Sequence, residues 1–155
     1  MMKSNGKAAP GGAASGAQNR GGPGFTLIEL MIVLAVIAII TAVALPSFVE
    51  SIQRGRRSDA QIALVEIAAL QDKFRNNNMT YSTALGSLPY PPVSPEQYYQ
   101  LAIIGTVTGT FFTARATPQG TQASDADCAV FTLTSTNVRN VVDSGGADNT
   151  ESCWP

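Results

Sequence analysis

Histidine is absent from this chain of 155 residues, and charge is scarce: Asp, Glu, Lys and Arg make up 14% of it, with a net charge of −1. Without histidine, the commonest general base and the commonest metal ligand are both missing. No phosphate-binding Walker loop, dinucleotide fingerprint or G-x-S-x-G elbow occurs. The chain is therefore read as non-enzymatic, with no catalytic residue, no cofactor and no metal site. Low charge together with 45% hydrophobic residues excludes a chain that is disordered throughout. Cysteine occurs only at Cys128 and Cys153, and two thiols without histidine make a poor metal site. The length suits one domain of ordinary size.

Three stretches differ in composition. Residues 1–24 are rich in Gly, Ala, Ser and Asn, carry Lys3, Lys7 and Arg20, and contain no acid. They have no apolar periodicity and read as disordered. Residues 25–45 are apolar apart from Glu29. As a helix they would span roughly 30 Å, the thickness of a bilayer's hydrocarbon core. Residues 46–155 are mixed and globular in character. A secretory signal peptide fits the first two stretches poorly, because its apolar core is usually about 7–15 residues and small residues follow it. A plain signal anchor explains the length but not Glu29.

A carboxylate on a membrane helix is costly and normally has a partner. No basic residue lies between Arg20 and Arg54. The helix N-terminus favours the negative charge somewhat. A stronger partner would be the amine exposed by cutting after Gly24, on Phe25 of the same chain or of a neighbouring copy.

Gly24-Phe25-Thr26-Leu27-Ile28-Glu29-Leu30, followed by the apolar run to Pro46, resembles the prepilin motif of the type IV pilin family. The resemblance implies cleavage between Gly24 and Phe25 by a prepilin peptidase and N-methylation of Phe25. It also implies that Glu29 sets the register of an incoming subunit in a fibre. The leader is longer than many in the family, and Pro23 stands where a basic residue is common. Counting basic residues on either side of the helix gives a near tie for orientation. A disulfide belongs in an oxidising compartment, which places the leader in the cytoplasm and residues 46–155 outside the inner membrane.

Pro46 should kink or loosen the helix near Ala42. Beyond it, Val49, Ile52, Ala63, Ile67, Leu70 and Phe74 form an amphipathic stripe expected to pack on a sheet, interrupted by Arg56 and Asp59. A second stripe at Ile62, Val65 and Ala69 reads either as a second buried side or as a surface meeting helices of other copies. The asparagines at 76, 77 and 78 should stop the helix. The basic run Ser51-Ile52-Gln53-Arg54-Gly55-Arg56-Arg57 reads as a solvated, phospholipid-facing collar, with a nucleic-acid site as the alternative. Residues 79–95 form a connecting loop, and Asn78-Met79-Thr80 fits a glycosylation sequon. Four β-rich runs follow at 98–104, 110–116, 128–134 and 138–142, expected to form an antiparallel sheet. Which of Phe111 and Phe112 faces the helix stays open. Residues 143–149 read as a turn, with calcium binding as the alternative.

A Cys128–Cys153 bridge would close a loop worth roughly 3–4 kcal/mol and tie the tail to the third strand. A disulfide around the C-terminal loop and the Cys153-Trp154 ending also resemble PilE-type minor pilins. The expected fold is α+β: a long N-terminal helix, membrane-spanning in its first half, packed on a four-stranded antiparallel sheet with a disulfide-closed C-terminal loop. The expected division is a cleaved leader (1–24), a transmembrane and assembly half-helix (25–45) and a periplasmic or extracellular head (46–155).

The resemblance implies a structural pilus subunit, minor by its tail. It would be held in the inner membrane and then stacked into a surface fibre serving twitching motility, adhesion or DNA uptake. Its implied partners are other pilin subunits, the prepilin peptidase, membrane lipid and the assembly machinery. Alternatives are a major pilin, a DNA-binding uptake pilin and a type II secretion pseudopilin. For DNA, the cations beyond Arg57 are Lys73, Arg75, Arg115 and Arg139, outnumbered by acids, which argues against strong phosphate binding.

Overall fold

The computed structural model describes residues 24–154. The expectations of a disordered segment and a cleaved leader over residues 1–23 fall outside them. The elements run α1 (Leu27–Asn78), a 3₁₀ turn (Leu85–Ser87), β1 (Tyr99–Ile104), β2 (Thr113–Pro118), a second 3₁₀ turn (Gly120–Ser124), β3 (Val130–Thr134), β4 (Arg139–Val142) and the short α2 (Thr150–Cys153). The chain divides into two compact units, Met1–Ile40 and Thr41–Pro155, and α1 contributes to both.

In the first unit, α1 begins with a cap. Thr26 Oγ1 accepts the Glu29 amide at 3.2 Å, and Leu30 N–H donates to the Thr26 carbonyl. Thr-x-x-Glu is the spacing of a capping box, which satisfies amides that the first turn otherwise leaves orphaned. From there the helix is apolar on every side, and its large side chains up to Ile40 are all exposed. A helix hydrophobic all round suits a lipid or protein surround, where its backbone bonds are satisfied internally.

In the second unit the four strands form one antiparallel sheet in the order β1-β2-β3-β4. The register pairs Leu101 with Ala116, Ala114 with Leu133 and Phe131 with Val141. Period-2 alternation sends Tyr99, Leu101, Ala114, Ala116, Phe131, Leu133 and Val141 to the helix side, where they join Ala60, Ala63, Leu64 and Ile67 of α1 in one core. Edge-to-face ring pairs stiffen it: Tyr81–Phe112 at 4.8 Å and Tyr99–Phe131 at 5.7 Å between centroids. Such pairs add about 0.5–1.5 kcal/mol beyond area burial.

α1 is helical on both sides of Pro46, as a kinked or loosened helix also is. Sequence and structure differ in several places. The buried stripe is centred on Arg57, Ala60, Leu64, Ile67 and Gln71. Leu70 and Phe74 flank it, half-buried, while Val49 and Ile52 are exposed. Asp59 does not interrupt the face; it is part of it. The helix ends at Asn78 as expected, and Met79 takes the left-handed φ of 59° that closes the last turn, a position more often held by glycine. β2 starts at Thr113 because Thr108 Oγ1 accepts the amides of Thr110 and Phe111 and folds those residues into a turn. Phe112 is thereby buried and Phe111 left 41% exposed.

Candidate functional site

Glu29 lies at the third position of α1, in its first turn. Its carboxylate has no ion-pair partner among the described residues. Phe25, 87% exposed, precedes the helix. The N-terminal part of α1 is long and apolar enough, by length and composition, to cross a bilayer. The capping box at Thr26 and Glu29 was legible from the S/T-x-x-E spacing and was missed. Its consequence is local: helix begins two residues after Phe25, so a chain starting at Phe25 would start essentially as helix.

Beyond Gln53, the polar residues of α1 act as anchors for loops distant in sequence. Arg57 is buried and donates twice to Asp125, Nε to Oδ2 and an Nη to Oδ1, both at 2.8 Å. That bonding, outweighing desolvation, holds the Arg57 guanidinium even more firmly protonated than usual. Arg56 donates to Thr121 Oγ1 at 2.9 Å and covers the Tyr98 ring at 4.3 Å. Gln53 Nε2 donates to Ser124 Oγ at 3.0 Å. Gln122, fully buried, returns its Nε2 toward the Gln53 carbonyl, the Tyr99 hydroxyl and Asp125, while its Oε1 has no partner among the described residues. The 3₁₀ turn between β2 and β3 is thus fastened to one turn of helix. Arg54 pairs with Glu50. The basic run expected to form a phospholipid-facing collar is therefore taken up largely by intramolecular partners, and Arg57 is buried.

Further along, Asp59 accepts from Ser94 Oγ, from Glu96 N–H at 3.1 Å and from Tyr98 N–H at 3.4 Å. Gln71 makes a two-way pair with Ser82, donating to its carbonyl at 2.9 Å and accepting its amide at 2.8 Å. Gln61 Nε2 donates to the Cys153 carbonyl at 3.1 Å. Tyr99, buried beneath the second turn, has its hydroxyl pushed up to about 12, mainly by desolvation.

Cys128 and Cys153 are joined, with Cα atoms 5.8 Å apart. The bridge ties α2 to Cys128, just ahead of β3, Thr150 Oγ1 accepts the Val141 amide of β4 at 2.8 Å, and Trp154, 7% exposed, lies beside Phe131 at 6.0 Å between ring centroids. Arg139 lies over the indole at 5.5 Å. In the loop 143–149, Asp143 Oδ1 accepts the amides of Gly145 and Ala147, and Asp148 Oδ1 accepts both the amide and hydroxyl of Thr150. Those bonds hold the Asp148 carboxyl below its usual range. Both carboxylates serve the turn, and no cluster of metal-ligating side chains occurs among the described residues. Asn78, of the sequon, donates its amide to the Phe74 carbonyl at 2.8 Å.

Comparison with known proteins gives two family matches that abut. Residues 23–45 match the prokaryotic N-terminal methylation motif. Residues 46–132 match the family described as type IV minor pilin ComP, DNA uptake sequence receptor. Among curated relatives, the type IV major pilin protein PilA of Myxococcus xanthus (strain DK1622) is 36% identical over 75 residues, 48% of this chain and 34% of that protein. The type IV wide pilus major component PilA4 of Thermus thermophilus is 33% identical over 69 residues, 44% of this chain and 53% of that one. The chain thus spans between about a third and a half of the length of these two relatives. A type IV pilin structure from Shewanella oneidensis is 26% identical over 66% of this chain and 98% of that one, with a TM-score of 0.48. The non-core minor pilin PilV of Neisseria meningitidis is 19% identical over 63% of this chain and 93% of that one, with a TM-score of 0.49. With the methylation motif running directly into a domain match that covers more than half of its residues, the chain belongs to the type IV minor pilin ComP family.

Proposed function

We propose that this chain is a minor subunit of a type IV pilus. It is made as a membrane-anchored precursor, cut between Gly24 and Phe25 by a prepilin peptidase, methylated on the Phe25 amine, and drawn from the inner membrane into a fibre. The observation that carries this reading is the abutment of the methylation motif at 23–45 with the ComP-family domain at 46–132. The exposed apolar helix supports it, since that surface exchanges lipid for helices of neighbouring subunits on assembly. In that step Glu29 pairs with the methylated amine of a neighbour, which restores a partner to a carboxylate that otherwise stands alone in an apolar surround.

Mass spectrometry of fibres sheared from cells tests it. The chain should be present in a small ratio to another pilin, beginning at Phe25 with one added methyl group. A chain beginning at Met1, or absent from sheared fibres, overturns it.

A second reading concerns what the fibre carries. The matched family is described as a DNA uptake sequence receptor, which favours DNA as a ligand of the head although acids outnumber bases beyond Arg57. Net charge is a weak guide here, because phosphate contact depends on where unpaired cations lie.

A further inference from the structure

The arginines of the described residues are nearly all committed. Arg54 is paired with Glu50 and Arg57 with Asp125. Arg56 lies on Tyr98, Arg75 on Tyr81 and Arg139 on Trp154. The exception is Arg115, an exposed residue of β2 whose side chain has no hydrogen bond, ion pair or ring contact among the described residues; of the other cations, Lys73 on α1 also lacks an ion pair there.

Its setting is unusual. The alternation that sends Ala114 and Ala116 to the core sends Arg115 to the opposite face of the sheet. Cross-strand pairing places it in the row Ala102–Arg115–Thr132–Asn140. The flanking rows pair Gln100 with Thr117 and Thr113 with Thr134. Arg115 thus lies between Ala102 and Thr132, with Gln100, Thr113, Thr117, Thr134 and Asn140 around it and Ile104, Val130 and Val142 toward the margins of the face, and no strand position on that face carries an acid. Asp148, bridged to Val142 at the β4 edge, is the acid nearest in register, and it is engaged with Thr150. Unpaired guanidinium and Thr, Asn and Gln side chains are the groups that contact phosphate and sugar.

We propose that this outer sheet face, centred on Arg115, is where the head takes hold of the phosphate backbone of DNA. The inference rests on the DNA reading above and assigns it a surface. The occupant is a sugar-phosphate strand, because the face offers one positive charge amid hydrogen-bonding groups and no aromatic side chain at its strand positions for stacking bases. Such contacts position DNA without reading its sequence, so any sequence preference must come from other residues.

The test uses the full chain in detergent micelles and a labelled library of randomised duplexes of roughly 30 base pairs, about three helical turns. Binding is followed by anisotropy between about 50 and about 200 mM salt. Arg115→Ala should weaken binding about tenfold or more at the lower salt, as loss of a charge-assisted bond does, and reduce the salt slope by about 0.9. Thr132→Asp, which sets a carboxylate directly opposite Arg115, should do the same. Arg115→Lys should keep the slope, since a phosphate accepts a point charge. Arg75→Ala and Arg139→Ala should leave both quantities unchanged. The basic residues of 1–23 are common to all variants and cancel in the comparison.

If the wild-type chain binds the library but Arg115→Ala binds equally well with the same slope, the proposed face is wrong and the DNA reading stands. If the wild-type chain binds no duplex even at the lower salt, the DNA reading fails and takes the face with it. Equal competition by polyglutamate at matched charge would assign the face to an acidic polypeptide and overturn the proposal.

Discussion

The two ends of α1 share a backbone and differ in what their side chains meet. From Leu27 to Ile40 every large apolar side chain is exposed, and the carboxylate of Glu29 is without an ion-pair partner among the described residues. From Arg57 to Gln71 the helix is the spine of a head, with Ala60, Ala63, Leu64 and Ile67 in the core and Arg57, Asp59 and Gln71 buried as anchors. One end is incomplete by itself and the other is satisfied by its own chain. Substitutions at the packed end should therefore lower the stability of the head. Substitutions at the bare end should leave that stability alone and change only what the chain assembles with.

The largest loss is expected at Arg57 and Asp125. Removing either partner strands a charge that is 10% or 2% exposed at the side chain, which costs about 3–5 kcal/mol. Arg57→Ala or Asp125→Ala should lower the urea midpoint of the solubilised chain accordingly, with the slope of the transition unchanged. Arg57→Met with Asp125→Leu should recover most of the loss, because two apolar groups leave no stranded charge. Glu29→Ala should not shift the midpoint at all and should abolish incorporation into fibres. A midpoint shift for Glu29→Ala comparable to that for Arg57→Ala would erase the contrast between the two ends.

The disulfide comes next. Its sequence separation of 25 implies roughly 3–4 kcal/mol from loop closure in the unfolded chain. Cys128→Ser with Cys153→Ser should lose that much and expose Trp154, shifting its fluorescence to the red. An unshifted emission would mean that the Phe131 and Arg139 contacts hold the indole without the bridge.

What could be read in advance follows from how far each signal reaches along the chain. The apolar run, the four-stranded antiparallel sheet and the Cys128–Cys153 pairing rest on local pattern or on there being two thiols, and these were legible. Arg57, Asp59 and Gln71 were not. Each is a polar residue type that would by itself be placed at the surface, although the wheel sets it on the apolar face, and its partner is a loop group 11 to 68 residues away. No periodicity encodes such a pair. The start of β2 was misplaced for a related reason: Thr110, Phe111 and Phe112 have strand propensity, but the Thr108 hydroxyl captures two amides that a ladder would otherwise use. The lone state of Arg115 was equally hidden, since it emerges only after every other described arginine is assigned a partner.

Alkaline pH sharpens the contrast on the packed side. The Tyr99 hydroxyl, buried, ionises near 12 in the fold and near 10 when unfolded. A raised folded value means its contribution is fully present below about pH 10 and is lost as pH climbs toward about 12, up to roughly 2–3 kcal/mol. Tyr90, beside Glu66, is shifted in the same direction, so Tyr99→Phe should flatten the alkaline fall in stability rather than remove it. Equal alkaline slopes for Tyr99→Phe and wild type would show that the hydroxyl is hydrated in the fold.

The sharpest test of the contrast within the head comes at Val65, where only a small effect on stability is expected. It lies within the packed stretch of α1, yet it is 52% exposed, and its neighbour Ile62 is 53% exposed. These two side chains behave like the bare end of the helix set down on the head. Val65→Glu should change stability by no more than about 0.5 kcal/mol, as a surface substitution does, because no core contact is lost and the new carboxylate stays in water. If the Ile62–Val65 side meets helices of other copies, the same change should block the fibre, since a carboxylate forced into an apolar helix contact is stranded without a partner. Fibres of normal yield containing Val65→Glu would show that this side faces solvent in the assembled state, and would confine the assembly surface to the stretch before the head.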